Sequence, residues 1–569
     1  MALYSLVSAV RSPASVRRVA DLTLGLAGAA VLLFYVNRIF PELPLYASDE
    51  GAYLIRALHG EALAARPELH PTVHPVGNTL YLLVARLVDA LTLNVLPWLR
   101  LIGLAAYFGG LLLLHRVLGG AWRGAGLGAL AAALAYPFYR FVVTAMPEGL
   151  YVLGLAALAS LTAWLMPRRP WRHALLAGMG AATLVLLKPH GVAVLPAMAG
   201  LLVGAVVFRM ARPVAALGQG ALFAAAFLLT GAAIQTLAGA PGEPFAFFLG
   251  GAYADAFGRH PEAPLRTGLA TALALGSSAL LLTSLPAWAI GRALWRRRRS
   301  GGPAAPDELA GLFLLTAFAA ALGMILLFAV KVSAIPGEEN RLWGRYFEFY
   351  APLLWIAAAR PLASLWAAAG RVERIMMALL PLVGALGLLV ACRTGLTLFP
   401  WDSAALSAFF APRPERWLLV PPLPLRPLAL VVVVAAALAL VLRASPWRTW
   451  AAAFVAFGLL STVYDDAWVG RDIAAPRSEL EDELHVARAL TDAAPGPAAV
   501  IAHDNNAGHI AFLRYDGQVH VRVRPPGPLP AEALAGFDDL VVIGPEAPPA
   551  PWRATFEGDS LAVFRRGPP

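Results

Sequence analysis

Cysteine is nearly missing from this chain of 569 residues: Cys392 stands alone. A single thiol excludes an intrachain disulfide and any cysteine-rich metal site. Lysine is almost as scarce, with only Lys188 and Lys331, so arginine carries the basic balance of +10. Charge of either sign is thin. Charged residues make up 14% of the chain, against about 25% in an ordinary soluble protein. The arginines form no patch interleaved with aromatic side chains, so nothing points to nucleic acid as a partner. There is no visible internal repeat, which removes the inverted-repeat signature of many secondary transporters. No small-residue cleavage site follows the apolar run at about 22–36, which lies behind Arg11, Arg17 and Arg18. An uncleaved first span is expected there rather than a signal peptide.

Hydrophobic residues are plentiful, at 59% of the chain. The fold class that follows is mostly α: a polytopic membrane helical bundle. Runs long enough to cross a bilayer need roughly 17–25 residues. They lie near 21–40, 100–119, 124–141, 148–166, 172–188, 191–208, 214–238, 267–290, 309–331, 347–366, 375–392, 427–442 and 448–464. That makes about 13 spans.

The segment 76–93 is also long enough, yet it reads differently. Leu80, Leu83, Val84, Leu87, Val88 and Leu91 share one helical face, and Asn78, Arg86 and Asp89 interrupt the others. This pattern fits a helix lying in the membrane interface. Arginine placement agrees. If 76–93 does not cross, Arg116, Arg123, Arg168, Arg169, Arg172, Arg209, Arg212, the block Arg296–Arg299, Arg371, Arg374, Arg443 and Arg448 all fall on the inner side, as the positive-inside rule requires. The N-terminus is then inside and the C-terminus outside. The acids Asp49, Glu50, Glu148, Glu243, Asp255, Glu338 and Glu339, with Lys188 and Arg345, fall on the outer side. Chemistry is expected there, away from the cytoplasm and its nucleotide-activated substrates.

Composition changes after about residue 465. A helix is expected over Ser478 to Leu490, and short strands over Ala498–Ala502, Val519–Val523 and Leu540–Ile543, separated by turns such as Arg524-Pro-Pro-Gly-Pro. The expected organisation is a transmembrane domain over 1–464, with a long outer loop at 41–99, and a small extracytoplasmic α/β domain over 465–569.

Several motifs carry chemistry, each beside a plainer reading. Tyr46-Ala-Ser-Asp-Glu-Gly-Ala-Tyr53 puts two carboxylates at the membrane surface. They are either the cap of a short helix or a general base at the mouth of a cavity. Neighbours on a helix point about 100° apart, so only one can face an acceptor, and Asp49 is the choice. His70 and His74 are four apart, but prolines follow both, which favours polar loop packing over metal ligation. Glu148 either complements a helix dipole or lines the cavity. Lys188, at the break Leu187-Lys-Pro-His-Gly191, is either an interfacial anchor or a phosphate ligand. Arg341 and Arg345 share a face if helical, and either clamp an anion or pair with Glu338 and Glu339. His503-Asp-Asn-Asn506 follows a strand, where open α/β sheets place ligands, and also fits an ordinary turn with an Asn cap.

Taken together, the ordered motifs resemble the GT-C superfamily of integral-membrane glycosyltransferases that use polyprenyl-phosphate sugars. The likeness is greatest to the branch of lipid A aminoarabinose transferases and protein O-mannosyltransferases. It rests on Ser48-Asp-Glu-Gly-Ala-Tyr53, His74-Pro-Val-Gly-Asn-Thr-Leu-Tyr81, Arg100-Leu-Ile-Gly, Met146-Pro-Glu148, Leu187-Lys-Pro-His-Gly191 and Arg345-Tyr-Phe. It covers about 20–365. Val76 stands where many relatives carry a second proline, and the lysine break reads Lys-Pro-His. Neither departure removes a charged group.

The resemblance implies Asp49 as the base on an acceptor hydroxyl, with Glu50 beside it. Lys188 and Arg345 would hold the lipid phosphate. Tyr53, His74, Arg100, Glu148, His190, Arg341 and Tyr346 would join the substrate site. The expected partners are a polyprenyl-phosphate sugar donor, a lipid or glycan acceptor and membrane lipids, with no cofactor or metal, in the bacterial inner membrane. A transporter or lipid flippase is the rival. It would place its ionisable groups at mid-membrane on broken, repeated helices.

Overall fold

The computed structural model describes residues 13–39, 48–70, 78–92, 94–120, 124–136, 138–238, 265–332, 342–393, 406, 446–469, 474–494, 496–530 and 534–567. The chain divides into two compact units. The first holds Met1–Asn37, Ile102–Val143 and Pro147–Asp466. The second holds Arg38–Leu101, Thr144–Met146 and Ala467–Pro569. The long loop expected over 41–99 therefore groups with the C-terminal residues.

The first unit is helical: α1 (Pro13–Ile39), α4 (Val95–Val117), α5 (Gly124–Leu134), α6 (Tyr139–Val142), α7 (Glu148–Leu165), α8 (Pro170–Leu187), α9 (Val194–Val207), α10 (Pro213–Leu237), α11 (Leu265–Ser300), α12 (Pro306–Val332), α13 (Tyr350–Ala357), α14 (Ala359–Ala368), α15 (Arg371–Arg393) and α16 (Pro446–Val469). Among the described residues, seven helical segments are long and apolar enough to cross a membrane. The span expected at 427–442 lies outside the described residues. Two others are broken in the fold. The 124–141 run ends as a helix at Leu134, before Pro137, and the 347–366 run divides at Ala358, before Pro361. Proline lacks the donor that continues a helix, and its ring crowds the preceding turn.

Val203, Leu217 and Leu229 are exposed on these helices, as lipid-facing positions require. Inward, Tyr107 stacks on Phe138 at 5.7 Å, and Phe349 meets Tyr151 edge-on at 5.1 Å. α11 packs along α15, α8 along α10, and α7 against α8 and α12. At the basic end of α11, buried Arg297 pairs with Glu308 of α12 at 3.7 Å.

The second unit contains α2 (Ser48–Ala65), a 3-10 turn (Pro67–Leu69), α3 (Thr79–Leu91), the start of α4, α17 (Ala475–Asp492), β1 (Ala498–Ala502), α18 (Asn505–Arg514), β2 (His520–Val523), β3 (Asp539–Ile543), β4 (Trp552–Glu557) and β5 (Leu561–Arg566). α3 is 13 residues long, short of the roughly 17 that span a bilayer. It packs on α2, where Arg86 Nε donates to the Ala57 carbonyl at 3.0 Å. The sheet order is β2-β1-β3-β5-β4. β1 runs parallel to β2 and β3, and β5 is antiparallel to β3 and β4. Alternate residues Ala499, Ile501, Leu540 and Val542 face a core shared with Phe537 and Phe564, as the period of two in a strand dictates. The sequence reading named β1 to β3 and no strand after Ile543. β4 is a largely exposed edge strand and leaves little apolar pattern.

Candidate active site

In the second unit, α2 carries the acidic pair in its first turn. Its inward face, with Leu54, Ile55 and Ala57, is buried in that unit. Helical rotation then separates the two carboxylates. Asp49 is half-buried. Glu50 is 0% exposed and faces Arg100, at 1%. Arg100 donates from Nε to Oε1 at 3.1 Å and from Nη2 to Oε2 at 3.2 Å. The Ala145 amide donates to the same Oε1 at 2.5 Å. A planar guanidinium on both oxygens of a carboxylate is a strong, directional pair. Tyr53, one turn further on, accepts from Asn78 Nδ2 at 3.5 Å and meets the ring of Tyr81 at 5.4 Å.

A second cluster lies in the first unit. Glu148 opens α7 and is buried. Lys188 closes α8 in an extended conformation, φ −152° and ψ 128°. The proline that follows disfavours helix at the residue before it, so the sequence itself forces the break. A 3-10 turn, Pro189–Ala193, leads into α9. Gly191 makes the turn possible. A Cβ there would sit 2.5 Å from the backbone of Leu184 and Val185, so no other residue fits without moving α8. The Lys188 ammonium donates to Glu148 Oε1. Both groups are buried, and their pairing offsets part of the cost of taking two polar groups out of water. Lys188 Nζ also lies 5.1 Å from the centre of the Tyr346 ring.

Tyr346 gathers the rest. His190 stacks on it at 3.8 Å, and Trp343 stacks at 5.9 Å. The Arg345 guanidinium sits 4.7 Å over its ring, and Nη2 donates to its hydroxyl at 2.5 Å. The Tyr151 hydroxyl, three residues along α7 from Glu148, donates to the His190 carbonyl at 3.3 Å. The cluster thus holds two cations and one carboxylate around an aromatic floor. Two cations against one carboxylate leave a net positive charge, which suits an anionic group.

The structure therefore gathers Glu148, Lys188, His190, Arg345 and Tyr346 in one unit, and Asp49, Glu50, Tyr53 and Arg100 in the other. His74 and Arg341 lie outside the described residues, as do Glu243, Asp255, Glu338 and Glu339. His70 packs its ring against His509 and Phe512, both at 5.2 Å. In the 503–506 turn, Asp504, not an asparagine, caps α18 by accepting from the Ala507 amide at 2.9 Å. His503 is held by the Arg524 carbonyl and Glu546. Sequence reasoning did not reach Ala145, whose amide carries no side-chain signal, nor Trp343, Tyr151 and His509. Among the described residues, no group of three His, Cys, Asp or Glu side chains is placed to hold a metal ion.

The fold is similar to that of ArnT. Two solved structures of ArnT from Cupriavidus metallidurans are similar over nearly the whole chain. The one bound to undecaprenyl phosphate has a TM-score of 0.53 and 14% identity, covering 96% of this chain and 99% of that one. The apo structure has a TM-score of 0.53 and 15% identity, covering 97% and 100%. No protein-family model matches the chain, and no curated protein does.

Proposed function

We propose that this chain is an integral-membrane glycosyltransferase of the bacterial inner membrane. It moves a sugar from a polyprenyl-phosphate donor to a hydroxyl-bearing lipid, glycan or protein acceptor on the outer face. The observation that carries the reading is the cationic group built on Tyr346, whose ring has buried Lys188 and half-buried Arg345 beside it. It occurs in a fold that, in ArnT, has been seen with undecaprenyl phosphate bound.

The chemistry balances with the residues named. The acceptor oxygen attacks the anomeric carbon. The bond from that carbon to the phosphate oxygen breaks, and the electron pair leaves with the polyprenyl phosphate. Asp49 takes the acceptor proton, a general-base contribution of about 10²–10⁴ in rate. Lys188 and Arg345 stabilise the charge on the departing phosphate. Glu148 holds the lysine ammonium in place. Glu50 takes no proton in this scheme. Its carboxylate is committed to Arg100 and the Ala145 amide, and it acts as a positioning residue for the turn bearing Asp49. The N-terminus is cytoplasmic and the sheet domain extracytoplasmic.

The test is to incubate the purified protein with a panel of polyprenyl-phosphate sugars and candidate acceptors. Acceptor-dependent consumption of one donor is the expected result. A panel in which every donor survives intact contradicts the reading.

A further inference from the structure

Three consecutive residues on α2 have three different surroundings. Asp49 is half-buried, Glu50 is clamped by Arg100, and Gly51 lies against His509 of α18. A Cβ at Gly51 would stand 2.7 Å from His509 Cβ and 3.2 Å from its Cγ and Nδ1. The nearest atom is one that every residue except glycine carries, so no rotamer change at position 509 relieves the contact. The two helices touch through the missing side chain of Gly51.

α18 is in turn fixed from behind. Asp504 caps it. A Cβ at Gly508 would lie 2.9 Å from Val523 and 3.2 Å from Val521, on β2. One helical turn beyond His509, Phe512 meets His59 of α2 edge-on at 5.7 Å, and His70 meets both His509 and Phe512. The sheet therefore reaches the first turn of α2 through a continuous run of packed groups.

We propose that the C-terminal sheet domain positions the base, with His509 and Gly51 as the contact that fixes the turn bearing Asp49. This rests on the glycosyltransferase reading above. A displacement of about 1 Å in a reacting group costs on the order of 10²-fold in rate. Pushing α18 away from position 51 is a displacement of that kind, and it leaves the donor-phosphate residues untouched.

The experiment uses the full-length protein in nanodiscs as Gly51→Ala, His509→Gly and the double variant. Turnover and the KM for a polyprenyl-phosphate sugar are measured beside hydrogen exchange of amides 50–56. Gly51→Ala is expected to lower kcat about ten- to a hundredfold, to leave donor KM within about twofold and to speed exchange at those amides. The double variant is expected to recover most of both, because removing the Cβ at position 509 restores the room. Unchanged turnover in Gly51→Ala overturns the proposal, and so does a loss that His509→Gly does not relieve. If the wild type consumes no polyprenyl-phosphate sugar, the functional reading fails by itself, and exchange still decides the docking: unaltered exchange in Gly51→Ala overturns it.

Discussion

Arg100 and Glu50, fifty residues apart in sequence, form a buried ion pair with two hydrogen bonds, and the Ala145 amide completes it. Such a pair gives little net stability against an apolar substitute, but removing one partner strands a charge and costs about 3–5 kcal/mol. Glu50→Gln and Arg100→Met should each destabilise the protein on that scale. Asp89→Asn, at an exposed site, should change stability by less than about 0.5 kcal/mol. Thermal unfolding in detergent measures all three. Equal, small losses would argue that water reaches Glu50.

Lys188 and Arg345 are expected to hold the donor phosphate. Replacing either with Met should weaken donor binding by about ten- to a hundredfold, corresponding to roughly 1.5–3 kcal/mol for a charge-assisted contact. Because Lys188→Met alone would strand buried Glu148, it is made together with Glu148→Gln; Arg345→Met should insert and fold as it stands. Calorimetric titration with undecaprenyl phosphate reads the effect. Unchanged affinity in both variants would mark the two cations as interfacial anchors.

His70 supplies a pH test. Burial, reinforced by the neighbouring His509 ring, pushes its pKa down to about 3. A depressed histidine stays neutral in the fold and takes up a proton on unfolding. Its contribution is therefore full above the ordinary value of about 6.5 and is lost as pH falls toward 3, with a slope of about 1.4 kcal/mol per pH unit for one proton. Between pH 6.5 and 5, before most carboxylates titrate, stability should fall more steeply in the wild type than in His70→Gln. Parallel curves would show that His70 already titrates in the folded protein.

Orientation is tested by labelling from outside. The 146–149 segment is buried, so a probe there reports burial rather than sidedness. Val486 on α17 is exposed, and Arg299 ends the basic α11. With Cys392 replaced, a cysteine at 486 should react with an impermeant maleimide in intact cells, and one at 299 only after lysis. The reverse pattern would invert the topology and put the chemistry on the cytoplasmic side.

The apolar runs and the strands β1 to β3 were legible because each depends on local pattern: run length in one case, alternation in the other. The break at Lys188 was legible for the same reason, since Pro189 dictates the conformation of the residue before it. What was not legible depends on distance along the chain. Nothing local to Glu50 indicates that Arg100 and Ala145 will meet it, and nothing local to Glu148 names Lys188. Gly51 reads as one more small residue until α18 is laid against it. Trp343 adopts a left-handed conformation, φ 54°, which a bulky aromatic rarely does, and so its stacking on Tyr346 had no sequence signal. Grouping 38–101 with the sheet domain was equally invisible, because the two segments are separated by more than 360 residues.

The most direct test of the account is the fate of the donor lipid in proteoliposomes that hold a consumed polyprenyl-phosphate sugar and its acceptor. Mass spectrometry follows intact donor, free polyprenyl phosphate and glycosylated acceptor over time. With the wild type, free polyprenyl phosphate and glycosylated acceptor should appear one for one. With Asp49→Asn, which keeps the side-chain shape but accepts no proton, the rate should fall roughly 10²-fold or more, while donor binding stays nearly intact. Near-normal turnover by Asp49→Asn contradicts the base assignment. Donor that moves between leaflets with its sugar still attached contradicts the transferase itself.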